Sequence, residues 1–107
     1  MEAVVFVQNS TFYPTLGQER DLLAHLEQWA KDLQAQGVPT ALMHQLFNPE
    51  GPTFVSAIRY RDLADFENYR QKWRTDATFQ ANLAKALSFS IVAPTTELFE
   101  ILVPLPS

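Results

Sequence analysis

The chain contains no cysteine. Disulfides, thiolate metal sites and cysteine nucleophiles are therefore excluded, and the composition suits a reducing cytoplasm, where the protein is expected to reside. Glycine is scarce. Gly17, Gly37 and Gly51 stand far apart, so no glycine-rich phosphate loop can form. Histidine occurs only at positions 25 and 44, with no spaced carboxylate partner that would complete a metal set. No serine sits in a nucleophile elbow. No apolar run approaches the roughly 18 residues needed to span a membrane. The N-terminus reads directly as a strand, Glu2 to Val7, with no basic leader or cleavage site. Positive charge is also short: 8 Lys and Arg face 12 Asp and Glu, a net charge of −4, which argues against nucleic acid as a partner.

What remains is a globular chain of one domain, residues 1–107, with 47% apolar residues to build a core. Ala3 to Phe12 reads as a first strand. Val4, Val5, Phe6 and Val7 are apolar on both sides, and the strand turns polar at Gln8, Asn9 and Ser10. Tyr13 to Gly17 breaks it. A helix follows to about Gln36, with Leu22, Leu26, Trp29 and Leu33 at the helical period. Thr15 and Gln18 have capping-box spacing at its start, and Gly37 with Pro39 ends it. Thr40 to Phe47 and Thr53 to Tyr60 form an antiparallel pair around the turn Asn48-Pro49-Glu50-Gly51. Asp62 can cap a second helix carrying Leu63, Phe66, Tyr69 and Trp73 on one face. Thr75-Asp76 restarts it, and Phe79, Leu83, Ala86 and Leu87 continue the stripe. Thr95 to Val103 is the last strand, and Pro104 and Pro106 end it.

The order is strand, helix, strand, strand, helices, strand. This predicts an α+β, ferredoxin-like β-α-β-β-α-β subunit: a four-stranded antiparallel sheet with helices on one face. Such a sheet leaves its other face bare, and a second copy of the chain is the simplest cover. A homodimer is therefore expected. Five of the eight basic residues (Arg59, Arg61, Arg70, Lys72 and Arg74) fall between positions 59 and 74. They form either a solvated helix face paired with Asp62, Asp65 and Glu67, or an anion-binding rim.

The resemblance that this order carries is to the dimeric α/β barrel superfamily, whose subunits pack sheet against sheet. It extends over nearly the whole chain. It includes the polar end of the first strand, the Gly17 region before a long helix, the Asn48-to-Gly51 turn, and the aromatic helix, polar break and Phe of Leu63 to Phe79. The superfamily includes antibiotic-biosynthesis-type monooxygenases, haem-degrading monooxygenases, NIPSNAP-like proteins and stress-responsive barrel proteins. In haem-degrading members an asparagine on the first strand, a tryptophan and a histidine carry the site. Asn9 and Trp73 are placed like the first two, but Leu83 stands where the histidine is expected. Leucine cannot coordinate iron, so the haem route is not implied, and no cofactor is expected.

The candidate catalytic residues are Asn9, as hydrogen-bond donor to a substrate anion, and His44, as a general base if its imidazole is buried in apolar surroundings. His44 reads equally well as a hydrogen-bonded core or interface residue, and His25 as a boundary residue of the first helix. Trp73, Tyr69, Arg59 and Tyr60 are the candidate ligand-binding residues. The function expected is a small homodimer of unassigned activity that holds an apolar or aromatic small molecule between sheet and helices. The alternative is a cofactor-independent monooxygenase of the antibiotic-biosynthesis type, acting on an aromatic or quinol-like substrate. A purely structural dimerisation module is the third reading.

Overall fold

The computed structural model describes residues 5–47, 49 and 51–103. The elements run β1 (Val5–Phe12), α1 (Glu19–Ala35), β2 (Thr40–Gln45), β3 (Thr53–Tyr60), α2 (Leu63–Thr75), α3 (Ala77–Ser88) and β4 (Thr95–Ile101). The sheet order is β2-β3-β1-β4, with every neighbouring pair antiparallel. That is the ferredoxin-like arrangement read from the sequence. Of the turn between β2 and β3, Asn48 and Glu50 lie outside the described residues, as do Pro104 and Pro106 after β4.

Register decides which side chains meet the helices. Phe12 pairs with Phe54, Gln8 with Ile58, and Phe6 with Tyr60. This parity of β1 and β3 carries the sheet's contribution to the core, since Phe12, Phe54, Ile58 and Tyr60 are all buried. From α1 the core receives Leu22, Leu26, Trp29 and Leu33, and from α2 and α3 it receives Trp73 and Ala86. The opposite parity, with Val7, Asn9, Thr11, Val55 and Ala57, faces away from the helices. On that face Met43 of β2 and Phe99 of β4 are 46% and 47% exposed.

The helix ends follow local chemistry. After α1, Gly37 takes φ +84°, a left-handed conformation that glycine adopts without steric cost. The Gly37 amide donates to Gln34 and the Val38 amide to Leu33, both at 3.0 Å, while Val38 and Leu33 are buried together. This is a Schellman stop with its usual apolar contact. The expected capping box at the start of α1 is not made. Gln18 is the N-cap residue without a side-chain cap, because Thr15 instead accepts the Gln18 amide on its backbone carbonyl at 2.9 Å in a turn. The other two helices are capped as expected: Asp62 accepts the Asp65 amide at 2.7 Å, and Asp76 accepts the Phe79 amide at 2.8 Å. The loops at one end are tied together, with the Thr15 amide donating to Phe89 and the Ile91 amide to Tyr13. Both β2 and β4 end a little earlier than the sequence suggested. Leu46, Phe47, Leu102 and Val103 are all more than 80% exposed and continue no ladder.

Candidate functional site

The sequence places polar residues in the middle of an otherwise β-rich first strand, and the register turns two of them toward the helices. The Tyr60 hydroxyl donates to Gln8 Oε1 at 2.9 Å, and Ser10 Oγ lies 3.2 Å from Thr96 Oγ1. Gln8 Nε2 and Ser10 Oγ are 3.5 Å apart, too long to add much. Tyr60, Gln8, Ser10 and Thr96 thus form a polar ladder across β3, β1 and β4. Burial, then the charge of Asp65, then Tyr69, raise the Tyr60 pKa well above the ordinary tyrosine value. The phenol is therefore held neutral and able to donate.

Above this ladder stands an aromatic wall. Trp73 stacks on Phe79 with ring centroids 4.7 Å apart and planes 7° from parallel. Trp29 meets Phe79 edge-on at 5.2 Å, and Tyr69 lies 5.2 Å from Trp73. The polar break at Thr75-Asp76 creates this geometry. By ending α2 and starting α3 it folds Phe79 back onto Trp73, six residues earlier. Gln80 fastens the corner, its side-chain amide donating to the Trp73 carbonyl at 2.8 Å.

Between ladder and wall lies a cleft of about 320 Å³. Its apolar lining is Phe12, Trp29, Phe66, Trp73, Phe79, Leu83 and Pro94, and its polar lining is Gln8, Ser10, Thr96, Gln80, Arg70 and Arg74. A neighbouring space of about 50 Å³ runs deeper along Ser56, Ile58 and Leu26. A third, of about 380 Å³, lies on the outer side of the same aromatic wall beside Asp32 and Asp76. Trp29, Trp73 and Phe79 border all three. The cleft over the sheet has the composition of a small-molecule site: mostly apolar walls with a few placed polar groups.

The residues singled out from sequence divide between two faces. Trp73 lines the cleft. Tyr60 is 1% exposed, and its ring meets Phe66 and Tyr69 beside that cleft. Asn9 and Arg59 point from the opposite face of the sheet, so one chain does not bring them to Trp73. His44 shares the helix-facing parity with Phe54 but is exposed, its ring 5.1 Å from the Phe54 ring. The apolar surroundings expected for it are absent because β2 is the edge strand and His44 lies near its end. His25 is a boundary residue, with Nε2 2.8 Å from the Asn82 carbonyl and its ring stacked on Trp29. Gln8 and Ser10 were not distinguished from Asn9 by sequence. The available signal was shared parity with Phe12, obscured because residues 4–7 are apolar on both parities. Among the described residues no three His, Asp or Glu side chains are grouped to hold a metal, and no helix is long and apolar enough to cross a membrane.

No family model matches the sequence, and no curated protein matches it. Solved structures do. A NIPSNAP-like domain protein from Burkholderia xenovorans superposes with a TM-score of 0.73 at 17% identity, over 95% of this chain and 91% of that one. A protein of unknown function from Nitrosomonas europaea gives 0.70 at 23% identity, over 100% and 99%. A candidate antibiotic biosynthesis monooxygenase from Caulobacter crescentus gives 0.69 at 12% identity, over 95% and 92%. The chain thus has the fold of NIPSNAP-like and antibiotic-biosynthesis-monooxygenase-like proteins.

Proposed function

We propose that this protein binds an apolar or aromatic small molecule in the cleft between sheet and helices, and does so as a homodimer. The cleft itself is the observation that carries the reading: a space of about 320 Å³ walled by five aromatic rings and floored by hydroxyl and amide groups. It opens to solvent beside the exposed strand β4, so a ligand can enter without unpacking the core. The ladder offers hydrogen-bond partners at the base, and the rings offer flat apolar contact above.

The dimer is supported by the other face of the sheet. Val5, Val7, Ala41, Met43, Val55, Ala57, Phe99 and Ile101 share its parity and have no helix over them. Asn9 lies among them, its Oδ1 buried and without a hydrogen-bond partner. An orphan of this kind costs about 1–3 kcal/mol unless a donor reaches it. Arg59 and Glu97 stand on the same face with opposite charge, which suits a second copy of the same surface. The Asn9 oxygen is already closed off within one chain, so the case for the second copy rests on the apolar side chains around it.

A second reading, a cofactor-independent monooxygenase acting on an aromatic or quinol-like substrate, draws on the likeness to the candidate monooxygenase folds and on the polar ladder. Hydroxyl and amide donors on the floor of an apolar cleft can hold a substrate oxyanion away from water. Oxygen consumption with a panel of quinols, abolished by filling the cleft, tests it.

The binding reading is tested by titrating ¹⁵N-labelled protein with 2-naphthol and following the indole N–H resonances. The chain has only two tryptophans, and both line the cleft. Saturable shifts of both are expected, with Ser10→Leu weakening binding at least tenfold by filling the floor. Unmoved indole resonances at saturating probe would refute it. Native mass spectrometry checks the assembly: the account requires a species at twice the 12.2 kDa chain mass, and a monomer contradicts it.

A further inference from the structure

The cleft has a charged rim of one sign. Phe66, Arg70 and Arg74 lie at successive four-residue steps along α2 and form one row down the side of the opening, and all three line it. Among the described residues no aspartate or glutamate lines the same space, although the chain as a whole carries a net charge of −4. The cleft on the outer side of the aromatic wall contrasts with it, carrying Asp32 and Asp76 and no arginine.

The two guanidinium groups are not consumed by structure. Among the described residues Arg74 makes no ion pair. Arg70 touches Glu67 at 3.2 Å, but that pair lies in solvent, with side chains 59% and 50% exposed, and Glu67 does not line the cleft. Exposed pairs of this kind contribute little, so a better acceptor can displace Glu67. A guanidinium offers five N–H donors in a planar fork that matches a carboxylate, and the single Glu67 contact leaves most of Arg70's fork free.

Resting on the reading of the cleft as a binding site, we propose that its ligand is a flat aromatic carboxylate. The ring system lies against Trp73 and Phe79, and the carboxylate is held at the mouth by Arg70 and Arg74. The arrangement separates the two halves of such a molecule in the right order. The apolar walls and the half-buried Ser10 hydroxyl lie inside, and the positive charge lies at the solvent edge, where a carboxylate need not be fully desolvated.

The test compares 2-naphthoate with its neutral isostere 2-naphthamide on the full-length protein at neutral pH, each followed through the two indole resonances. The wild type should bind naphthoate at least tenfold more tightly than naphthamide, the scale of a partly exposed hydrogen bond to a charged group. The preference should shrink as salt is raised. The Arg70→Gln/Arg74→Gln double variant keeps two good helix formers on an exposed face, so it should fold normally. It should lose the preference for naphthoate, so that the two compounds bind with closely similar affinity. Equal affinity for the two compounds in the wild type, or a preference that survives in the double variant, overturns the carboxylate assignment and leaves the cleft as a binding site. Indole resonances that respond to neither compound overturn both.

Discussion

Trp73 joins the core to the cleft, and replacing it puts that double role to a quantitative test. The side chain is 7% exposed and lies flat on Phe79, with the Tyr69 ring 5.2 Å away. Truncating a buried tryptophan to alanine costs about 3–5 kcal/mol in lost transfer energy and residual cavity, a range that includes the loss of its ring contacts. A domain of this size has roughly 5–15 kcal/mol to lose, so Trp73→Ala leaves the protein marginal. With a urea m-value of about 2 kcal/mol/M, the midpoint should fall by roughly 2 M. Circular dichroism at a fixed protein concentration is the appropriate assay. The variant removes a fluorophore, and the stability of a dimer depends on concentration. Trp73→Phe keeps a ring on Phe79 and should lose no more than about a third as much. Leu63 provides the control: it belongs to the same apolar stripe in sequence but is 54% exposed, so Leu63→Ala should be nearly neutral. A midpoint shift below about 0.5 M for Trp73→Ala, at unchanged m, would refute the stacked and buried placement.

Tyr60→Phe should cost about 1–2 kcal/mol, because it removes the 2.9 Å bond and leaves Gln8 Oε1 without its donor. Tyr60 also governs alkaline stability. Its pKa is raised in the folded state, so the unfolded chain releases the proton first. The stabilisation is complete below the ordinary value of 10.0 and is lost as pH rises beyond it, by up to about 1.4 kcal/mol per pH unit, and unfolding curves above pH 10 should be flatter for Tyr60→Phe. Asp76→Ala should destabilise by about 1 kcal/mol in urea by uncapping α3, whereas Asp76→Asn, which keeps a capping oxygen, should lose much less.

The fold was legible because each boundary has a local cause. Gly37 and Pro39 stop α1, Asp62 caps α2 and Asp76 caps α3, and the spacing of Leu22, Leu26, Trp29 and Leu33 gives the buried face of α1 directly. Thr15 is the exception, since a backbone turn met the need that its hydroxyl was expected to meet. The cleft was only half legible. Trp73 follows from periodicity, whereas Tyr60 lies outside the lining, and the choice between Asn9 and its neighbours Gln8 and Ser10 depends on the phase of β1. Residues 4–7 are apolar in both phases and leave that phase open; it is fixed only by pairing with β3, more than forty residues away. His44 illustrates the same limit from another side. Its same-face neighbours in sequence, Leu42 and Leu46, are apolar, but edge position is a property of sheet order, which one strand does not encode.

The account is tested most directly by asking which face of the sheet a bound aromatic touches. Intermolecular nuclear Overhauser effects between 2-naphthol and the protein would answer this. The account predicts contacts to the Trp73 indole, the Phe79 ring and the Ser10 β-protons. Contacts to the methyl groups of Val7, Val55 and Ala57 instead would place the ligand on the opposite face and contradict it.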